Sequence, residues 1–187
     1  MGEQTLIERA RDGDRAAYGE LMVLHHRTIE KFAFQCGVRV DDIPDVTQEV
    51  FIKLYRFLHQ FKKERFTTWL YKVTLNTARD YYRKQTNERD KQNKAKNAYE
   101  NFESMTPENK VLLFEEDREL HQAVQQLDEK YRIPIILFYF QDLSYEQISD
   151  ILNIPLSTVK TRLLRAKGLL KKAIVAEGGT AHGRSPI

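Results

Sequence analysis

Cysteine, proline and glycine are scarce in this chain of 187 residues, and each shortage excludes a class of protein. The single cysteine, Cys36, excludes a disulfide framework, and no histidine or cysteine cluster has the spacing of a metal site. We therefore expect no metal and no other cofactor. The 5 prolines and 8 glycines fall mostly at ends and junctions, and no strand-like alternation is bounded by turn residues.

Long apolar runs and a large excess of one charge are also missing. No segment approaches the roughly 20 apolar residues that span a bilayer. The charged, amphipathic start of the chain, residues 1–15, is unlike a secretory signal. The 30 basic and 27 acidic residues leave a net charge of only +3, which does not indicate a partner. These features predict a cytoplasmic protein with no direct membrane insertion.

Helical periodicity is abundant instead, because apolar residues recur at steps of three and four. In the N-terminal part they form three stripes: Leu6, Ile7, Ala10, Ala17, Leu21 and Leu24; Val46, Val50, Leu54, Phe57 and Leu58; Trp69, Leu70, Val73, Thr77 and Tyr81. Residues 87–110 are polar, with little to bury, before the periodicity resumes. The pattern predicts an all-α protein of two small helical domains, 3–86 and 111–175, joined by a flexible linker, 87–110, and followed by a disordered tail, 176–187.

The most specific segment, residues 143–167, has the pattern of a helix-turn-helix. Ser144 and Gln147 are spaced as the capping box of a first helix. Asn153 tolerates a left-handed turn, and Pro155 blocks continuation of that helix. The alternative is an ordinary helical hairpin with a solvated basic face. The agreement of cap, breaker and charge favours the helix-turn-helix.

The second helix of this motif is typical of one that enters the major groove of DNA. Between residues 156 and 172 it carries six basic residues and no acidic one, and Ser157 is a candidate N-cap. Small and polar residues near its start can approach base edges, and basic residues can reach bases or phosphates. The candidate DNA-binding residues are Ser157, Thr158, Lys160, Thr161, Arg162, Arg165 and Lys167.

Together with two N-terminal motifs, this segment resembles the extracytoplasmic-function (ECF) sigma factors, small members of the sigma-70 family of bacterial RNA polymerase subunits. The C-terminal module is similar to the domain that reads the promoter −35 element. Residues 45–55 are similar to the family's core-polymerase-binding helix, and residues 66–84 to its −10-reading helix. The resemblance covers about residues 4–175. It implies a sigma factor that binds core polymerase and directs promoter-specific initiation.

The resemblance also implies the partners. These are core RNA polymerase, through its β′ clamp helices and β flap, promoter DNA, and an anti-sigma factor that is either soluble or membrane-bound. The β′ clamp helices would dock on one polar face, whose mixed acidic and amide character suits an Arg-rich helix. In isolation this pattern favours a plain solvated surface, and it is the motif context that favours a docking face. Its candidate residues are Asp45, Gln48, Glu49 and Lys53.

For the −10 element, the resemblance implies that the loop 59–65 holds a base flipped out of the DNA. Base capture would offset the cost of unstacking and so couple recognition to strand opening. Phe66 and Trp69 are interpreted as core residues rather than stacking residues. The candidate −10 contacts are Lys62, Lys63, Arg65, Lys72, Asn76, Arg79 and Arg83.

Three further features bear on function. Pro134 lies inside a predicted helix, where it should cost about 3 kcal/mol or force a kink. Leu137, Tyr139 and Phe140 are either a surface for the β flap or simple core. There is no nucleophile-and-base pair and no Gly-rich phosphate loop, so catalysis by this chain is not expected. The main alternative is a conventional dimeric helix-turn-helix regulator; a helical adaptor that binds only protein is a second.

Overall fold

The computed structural model of the protein describes residues 2–61, 65–89 and 118–181, and all regular structure within these ranges is helical. The chain divides into two compact units, Met1–Pro107 and Glu108–Ile187, here called unit 1 and unit 2. The predicted all-α fold of two helical domains is thus confirmed. Among the described helices, none has the length and apolar character needed to cross a bilayer.

Unit 1 is built around one long helix that packs against its neighbours. In the part that the structure describes, its helices are α1 (Glu3–Arg11), α2 (Arg15–Gln35), α3 (Ile43–Phe57) and α4 (Phe66–Arg89). Helix α2 contacts α1, α3 and α4, and its Ile29 and Phe32 are almost completely buried. The predicted apolar stripes supply this core, apart from Leu24 and Phe57, which are 52% and 42% exposed, and the half-buried Trp69, Val73 and Tyr81.

The turn between α1 and α2 is formed by the Asp-Gly-Asp sequence. Gly13 has a φ of 98°, which other residues rarely adopt, and this lets the chain reverse within a few residues. Asp14 then caps α2, because its Oδ1 accepts hydrogen bonds from the Ala17 and Ala16 amides at 3.1 and 2.9 Å. The Ala17 amide and the Arg9 guanidinium, 2.6 Å from Oδ2, lower the pKa of Asp14.

Unit 2 packs three shorter elements against its last helix. Its described helices are α5 (Arg118–Gln125), α6 (Glu129–Ile135), α7 (Tyr145–Leu152) and α8 (Leu156–Ala181). Helix α8 contacts each of the other three. Ile133, Leu137, Ile148 and Val159 are buried at the centre of the unit.

Pro134 lies inside α6 without ending it. The helix instead widens into a π-helical turn, Ile136–Phe140, where the Gln141 amide donates to the Ile136 carbonyl at 3.1 Å. Proline has no N–H to donate to the preceding turn, so irregular pairing near it is expected. The predicted irregularity therefore takes the form of a widened turn rather than a break.

Two helices run further than the sequence predicted. Helix α4 ends at Arg89 rather than at 86, and α8 continues to Ala181 rather than ending near 175. Glu88, Arg89 and Ala176 have good helix propensity, and extending an existing helix is easier than nucleating one. The rest of the predicted linker (90–110), the predicted start of the second domain at 111 and the tail from 182 lie outside the described residues.

Candidate nucleic-acid interface

The first helix of the helix-turn-helix begins with the predicted capping box. The Ser144 Oγ accepts from the Gln147 amide at 3.3 Å, and the Gln147 Oε1 accepts from the Ser144 amide at 3.0 Å. Helix α7 ends at Asn153, whose φ of 52° is left-handed, as predicted. The Ser149 hydroxyl then donates to the Ile154 carbonyl at 2.6 Å and fixes the turn.

The second helix begins two residues earlier than predicted, so Ser157 is not its cap. The Pro155 carbonyl accepts from the Thr158 and Val159 amides at 2.9 and 3.1 Å, which makes Pro155 the residue before the helix. Ser157 therefore lies exposed in the first turn of α8, and its carbonyl accepts from the Thr161 hydroxyl at 2.9 Å. The prediction failed because proline fits the start of a helix as well as the end of one.

The orientation of α8 is set by a buried stripe at steps of four, three and four. Val159, Leu163, Ala166 and Leu170 all face the core of unit 2. Since these positions cover one side of the helix, the predicted DNA-binding residues occupy the remaining sides. They do not form a single row, however, but separate into two groups.

The first group lines a groove of about 300 Å³ between α8 and the start of α6. Lys130 of α6 places its Nζ 5.0 Å from the centre of the Tyr131 ring and 3.8 Å from the Asp128 carboxylate. Sequence reasoning missed Lys130 and Tyr131, because only tertiary packing brings α6 beside α8. The groove-lining residues are Lys130, Tyr131, Ser157, Thr158, Thr161, Arg162 and Arg165.

The second group, Lys160 and Lys167, lies on the opposite side of α8, against aromatic rings. The Lys160 Nζ is 5.9 Å from the centre of the Tyr145 ring, and the Lys167 Nζ is 5.4 Å from that of Tyr139. A hydrogen bond to the Tyr139 hydroxyl raises the pKa of Lys167. Both side chains are therefore held beside the helix.

Large apolar side chains also lie exposed on the described part of unit 2, namely Tyr139, Leu164, Leu169 and Ile174. Leu164 lies between the two groups and is 72% exposed. It was not among the predicted DNA-binding residues, because only polar and basic side chains were considered for that role. An apolar side chain there suits a thymine methyl group. Of the predicted flap surface, Leu137 is fully buried and belongs to the core, Phe140 is half-buried, and Tyr139 is 49% exposed.

In unit 1, the residues predicted for the −10 element share one side of α4. Lys72, Asn76, Arg79 and Arg83 follow steps of four, three and four, and all except the half-buried Lys72 are exposed. Arg65 is exposed just before the helix. Lys62 and Lys63 lie outside the described residues.

The start of α4 is anchored by aromatic packing. The rings of Phe61, Phe66 and Trp69 lie 5.3 to 5.8 Å apart, and Phe66 is 8% exposed in a cluster that includes Leu6 and Leu21. The interpretation of Phe66 as a core residue is therefore confirmed, and the half-buried Trp69 packs against the same cluster.

A carboxylate on α4 links the two predicted binding faces of unit 1. Asp80 receives Arg83 Nη2 at 3.1 Å on one oxygen and Lys53 Nζ of α3 at 3.4 Å on the other. Lys53, which was predicted to face the polymerase, is thus drawn toward α4 and is half-buried.

The other predicted polymerase-binding residues, Asp45, Gln48 and Glu49, are exposed on α3. Beside Gln48, a groove of about 800 Å³ runs between α2 and α3, and Ile52 and Tyr55 are 46% and 51% exposed along it. Its floor is held by the Tyr18 hydroxyl, which donates to the Phe51 carbonyl at 2.5 Å. Burial raises the pKa of Tyr18 to about 12. Sequence reasoning missed this apolar strip because periodicity alone assigned no role to exposed apolar residues.

The histidines of unit 1 have structural contacts. His25 is buried, with its Nε2 3.1 Å from the Glu3 carboxylate, and burial lowers its pKa although Glu3 opposes the shift. His26 stacks on Phe51 and lies 3.3 Å from Glu30. Within the described ranges, no group of three or more acidic, histidine or cysteine side chains could hold a metal ion.

Comparison with known proteins identifies both units. The family model for sigma-70 region 2 matches residues 21–88, and that for sigma-70 region 4 matches residues 117–170. Two solved structures share the fold with a TM-score of 0.68. One is CnrH in complex with the cytosolic domain of CnrY, 21% identical, covering 93% of this chain and 97% of that one. The other is the sigma factor RpoE with the anti-sigma factor NepR from Bartonella quintana, 19% identical, covering 84% and 96%.

Curated relatives match nearly the whole chain. The ECF RNA polymerase sigma-E factor of Haemophilus influenzae is 33% identical over 182 residues, which is 93% of this chain and 96% of the relative. The sigma-E factor of Escherichia coli K12 is 35% identical over 176 residues, covering 89% and 91%. The resemblance first seen in the motifs thus extends over both helical units. The chain belongs to the extracytoplasmic-function sigma factors of the sigma-70 family.

Proposed function

We propose that this protein binds core RNA polymerase and selects promoters by contacting the −10 element with unit 1 and the −35 element with unit 2. The observation that carries the proposal is the groove beside α8, where the half-buried Thr158 and Arg162 and the exposed Arg165 meet on a helix anchored by its buried stripe. A helix held in this way can enter the major groove while its scaffold stays outside.

Within this groove the two arginines and the hydroxyls have different roles. The fork of Arg162 or Arg165 suits the two acceptors of a guanine, and the hydroxyls of Thr158 and Thr161 can bond to either kind of base edge. Lys130 at the rim suits a phosphate, because its ammonium is a point charge without the fork of an arginine.

Docking on the polymerase combines charge with apolar contact. Asp45 and Glu49 present acid groups to an Arg-rich partner helix, and Gln48 adds an amide. Ile52 and Tyr55 beside them offer the exposed apolar area that an interface core needs. Lys53 takes part only after release from Asp80.

At the −10 element, α4 supplies an amide and cations along one side. Asn76 suits an adenine edge, while Lys72, Arg79 and Arg83 suit phosphates. Arg65, and with it Lys62 and Lys63, belongs to the segment assigned to capture of a flipped base. The aromatic cluster of Phe61, Phe66 and Trp69 holds the described ends of this segment in place.

The proposal also covers regulation and chemistry. One structural neighbour is bound to an anti-sigma factor, and we infer a partner of that kind here, soluble or membrane-bound. The β flap is assigned to the surface around Tyr139. The polymerase performs the chemistry and this subunit has no enzymatic activity. Its place of action is the cytoplasm, where polymerase and chromosome meet.

Run-off transcription with core polymerase on a genomic promoter library tests the function. We expect discrete transcripts only when the protein is present, and a shared −35 and −10 pattern among the promoters it uses. A variant with Arg162→Ala and Arg165→Ala should still bind core but lose that −35 pattern. If the protein instead bound DNA sites as a dimer without core, the regulator alternative would hold and this proposal would be wrong.

A further inference from the structure

Three aromatic rings form a continuous surface beside α8. The Phe138 ring lies 4.8 Å from Tyr139, at 85°, and 5.1 Å from Tyr145, at 31°. We call these three residues the aromatic platform. It joins the π turn to the first turn of α7, so two elements of the unit 2 scaffold contribute to it.

One lysine of α8 lies over each outer ring of the aromatic platform. Lys160 lies over Tyr145 at 5.9 Å, and Lys167 lies over Tyr139 at 5.4 Å and bonds to its hydroxyl. The lysines are seven residues apart, which is two helical turns or about 10.5 Å along the axis. Both are exposed, so the ammonium groups remain open to a ligand.

We propose that the aromatic platform positions Lys160 and Lys167 to bind phosphates of one DNA strand, while the groove on the opposite side of α8 contacts the bases. The inference rests on the proposed −35 recognition and assigns Tyr139 and Tyr145 to it as positioning residues. It also assigns to the DNA backbone two lysines for which the sequence left both bases and phosphates open.

The chemistry of the pairs supports a phosphate ligand. An ammonium over a ring face is attracted by the ring quadrupole, and this limits the many rotamers of a lysine. The ammonium has three N–H donors, so the bond of Lys167 to the Tyr139 hydroxyl leaves two for a phosphate. A point charge held in this way carries no base preference, unlike the forked arginines across the helix.

The two lysines are not equivalent. The pKa of Glu146 is lowered by the backbone amide at its own position, by Ser144 and by the positive charge of Lys160. That carboxylate offsets part of the field of Lys160. We therefore expect Lys167 to contribute more to DNA binding than Lys160.

The test is a double-mutant cycle on holoenzyme, made from the full chain and core polymerase, with promoter DNA that varies only in its −35 element. Tyr139→Leu should weaken binding roughly two- to fivefold, and equally on every −35 variant. Tyr139→Phe keeps the ring and should retain most of the affinity. In a Lys167→Ala background, Tyr139→Leu should have no further effect, and Lys167→Ala should lower the salt slope by about one.

Lys171→Ala provides the matched control, since Lys171 lies one turn beyond Lys167 and has no ring beneath it among the described residues. The effect of Lys171→Ala should be independent of Tyr139. An equal loss from Tyr139→Leu with and without Lys167 would overturn the proposal, because Tyr139 would then act through the fold or through the β flap assigned to its surface, and not through Lys167. A loss confined to one base position would overturn it too. If parental holoenzyme bound all −35 variants equally, the proposed function would be wrong, rather than the role of the aromatic platform.

Discussion

At the scale of single residues, alanine substitutions of the arginines and of the lysines of α8 should affect DNA binding differently. Arg165→Ala should cost roughly 1–3 kcal/mol and relax preference at one −35 position, because a bidentate contact to guanine is lost. Arg162→Ala should behave similarly at another position. Competition binding of holoenzyme to a −35 substitution series measures both.

Lys172→Ala is the comparison for these arginines, since Lys172 lies two turns beyond Arg165 along α8 and would reach only phosphate if the start of α8 leads into the groove. It should weaken all promoters alike and reduce the salt slope by about one. Equal losses on every base variant for both arginines would show that they contact the backbone, leaving Thr158, Thr161 or Leu164 to read the sequence.

The buried His25 should make unit 1 sensitive to mild acid. The pKa of His25 is lowered in the folded state, so below about pH 6.5 the unfolded chain binds more protons than the folded one. The stability of unit 1 therefore decreases as the pH is lowered. His25→Gln removes this titration and should flatten the dependence between about pH 7.5 and 5.5. Urea unfolding followed by fluorescence of Trp69, the one tryptophan, reports on this unit.

His59→Gln is the matched control, because His59 is exposed. It should leave the pH dependence of unfolding as in the parent. The explanation would be wrong if His25→Gln and His59→Gln gave the same dependence as the parent.

At the scale of elements, the capping box of α7 can be tested by its contribution to the stability of unit 2. Ser144→Ala leaves the Gln147 amide without its side-chain acceptor and should lower the stability of unit 2 by about 1 kcal/mol. Thermal unfolding followed by circular dichroism measures the loss. Ser144→Asp, which keeps a capping oxygen, should stay near the parent; a similar loss in both variants would mean that the cap is not the cause.

The exposed face of α3 can be tested by reversing its charge. Asp45→Lys with Glu49→Lys should weaken binding to core polymerase roughly tenfold or more, since like charges would then meet across the interface. Glu8→Lys with Asp12→Lys changes the net charge equally elsewhere on the same unit and should bind as the parent does. If the α3 variant bound core as tightly as this control, the docking face would be misassigned.

Local elements could be predicted from the sequence, but the contacts between helices that are distant in the chain could not. The capping box of Ser144 and the left-handed Asn153 depend on residues close in the chain, so pattern alone indicated them. Lys130 lines the α8 groove, and Lys160 and Lys167 lie over aromatic rings, because of packing between helices distant in sequence. Pro155 was predicted only to end the first helix. Its role before the second helix depends on the hydrogen bonds of its carbonyl, which the sequence does not show.

At the scale of the whole molecule, two compact units should give two unfolding transitions. Fluorescence of Trp69 reports only unit 1, whereas circular dichroism reports both. Ser144→Ala should therefore shift the circular dichroism curve and leave the fluorescence curve in place. A fluorescence midpoint that moved with Ser144→Ala would show that the units unfold together.

Asp80 would couple the binding of the two proposed ligands, polymerase and DNA. Its carboxylate contacts Lys53, on the proposed polymerase face, and Arg83, on the proposed DNA face, so a ligand that removes one cation changes the hold on the other. Linkage requires this effect to be reciprocal: the factor by which polymerase changes affinity for DNA is the factor by which DNA changes affinity for polymerase. Partly exposed pairs contribute about 0.2–1 kcal/mol, so the factor is small, and Asp80→Asn should reduce it in both directions alike.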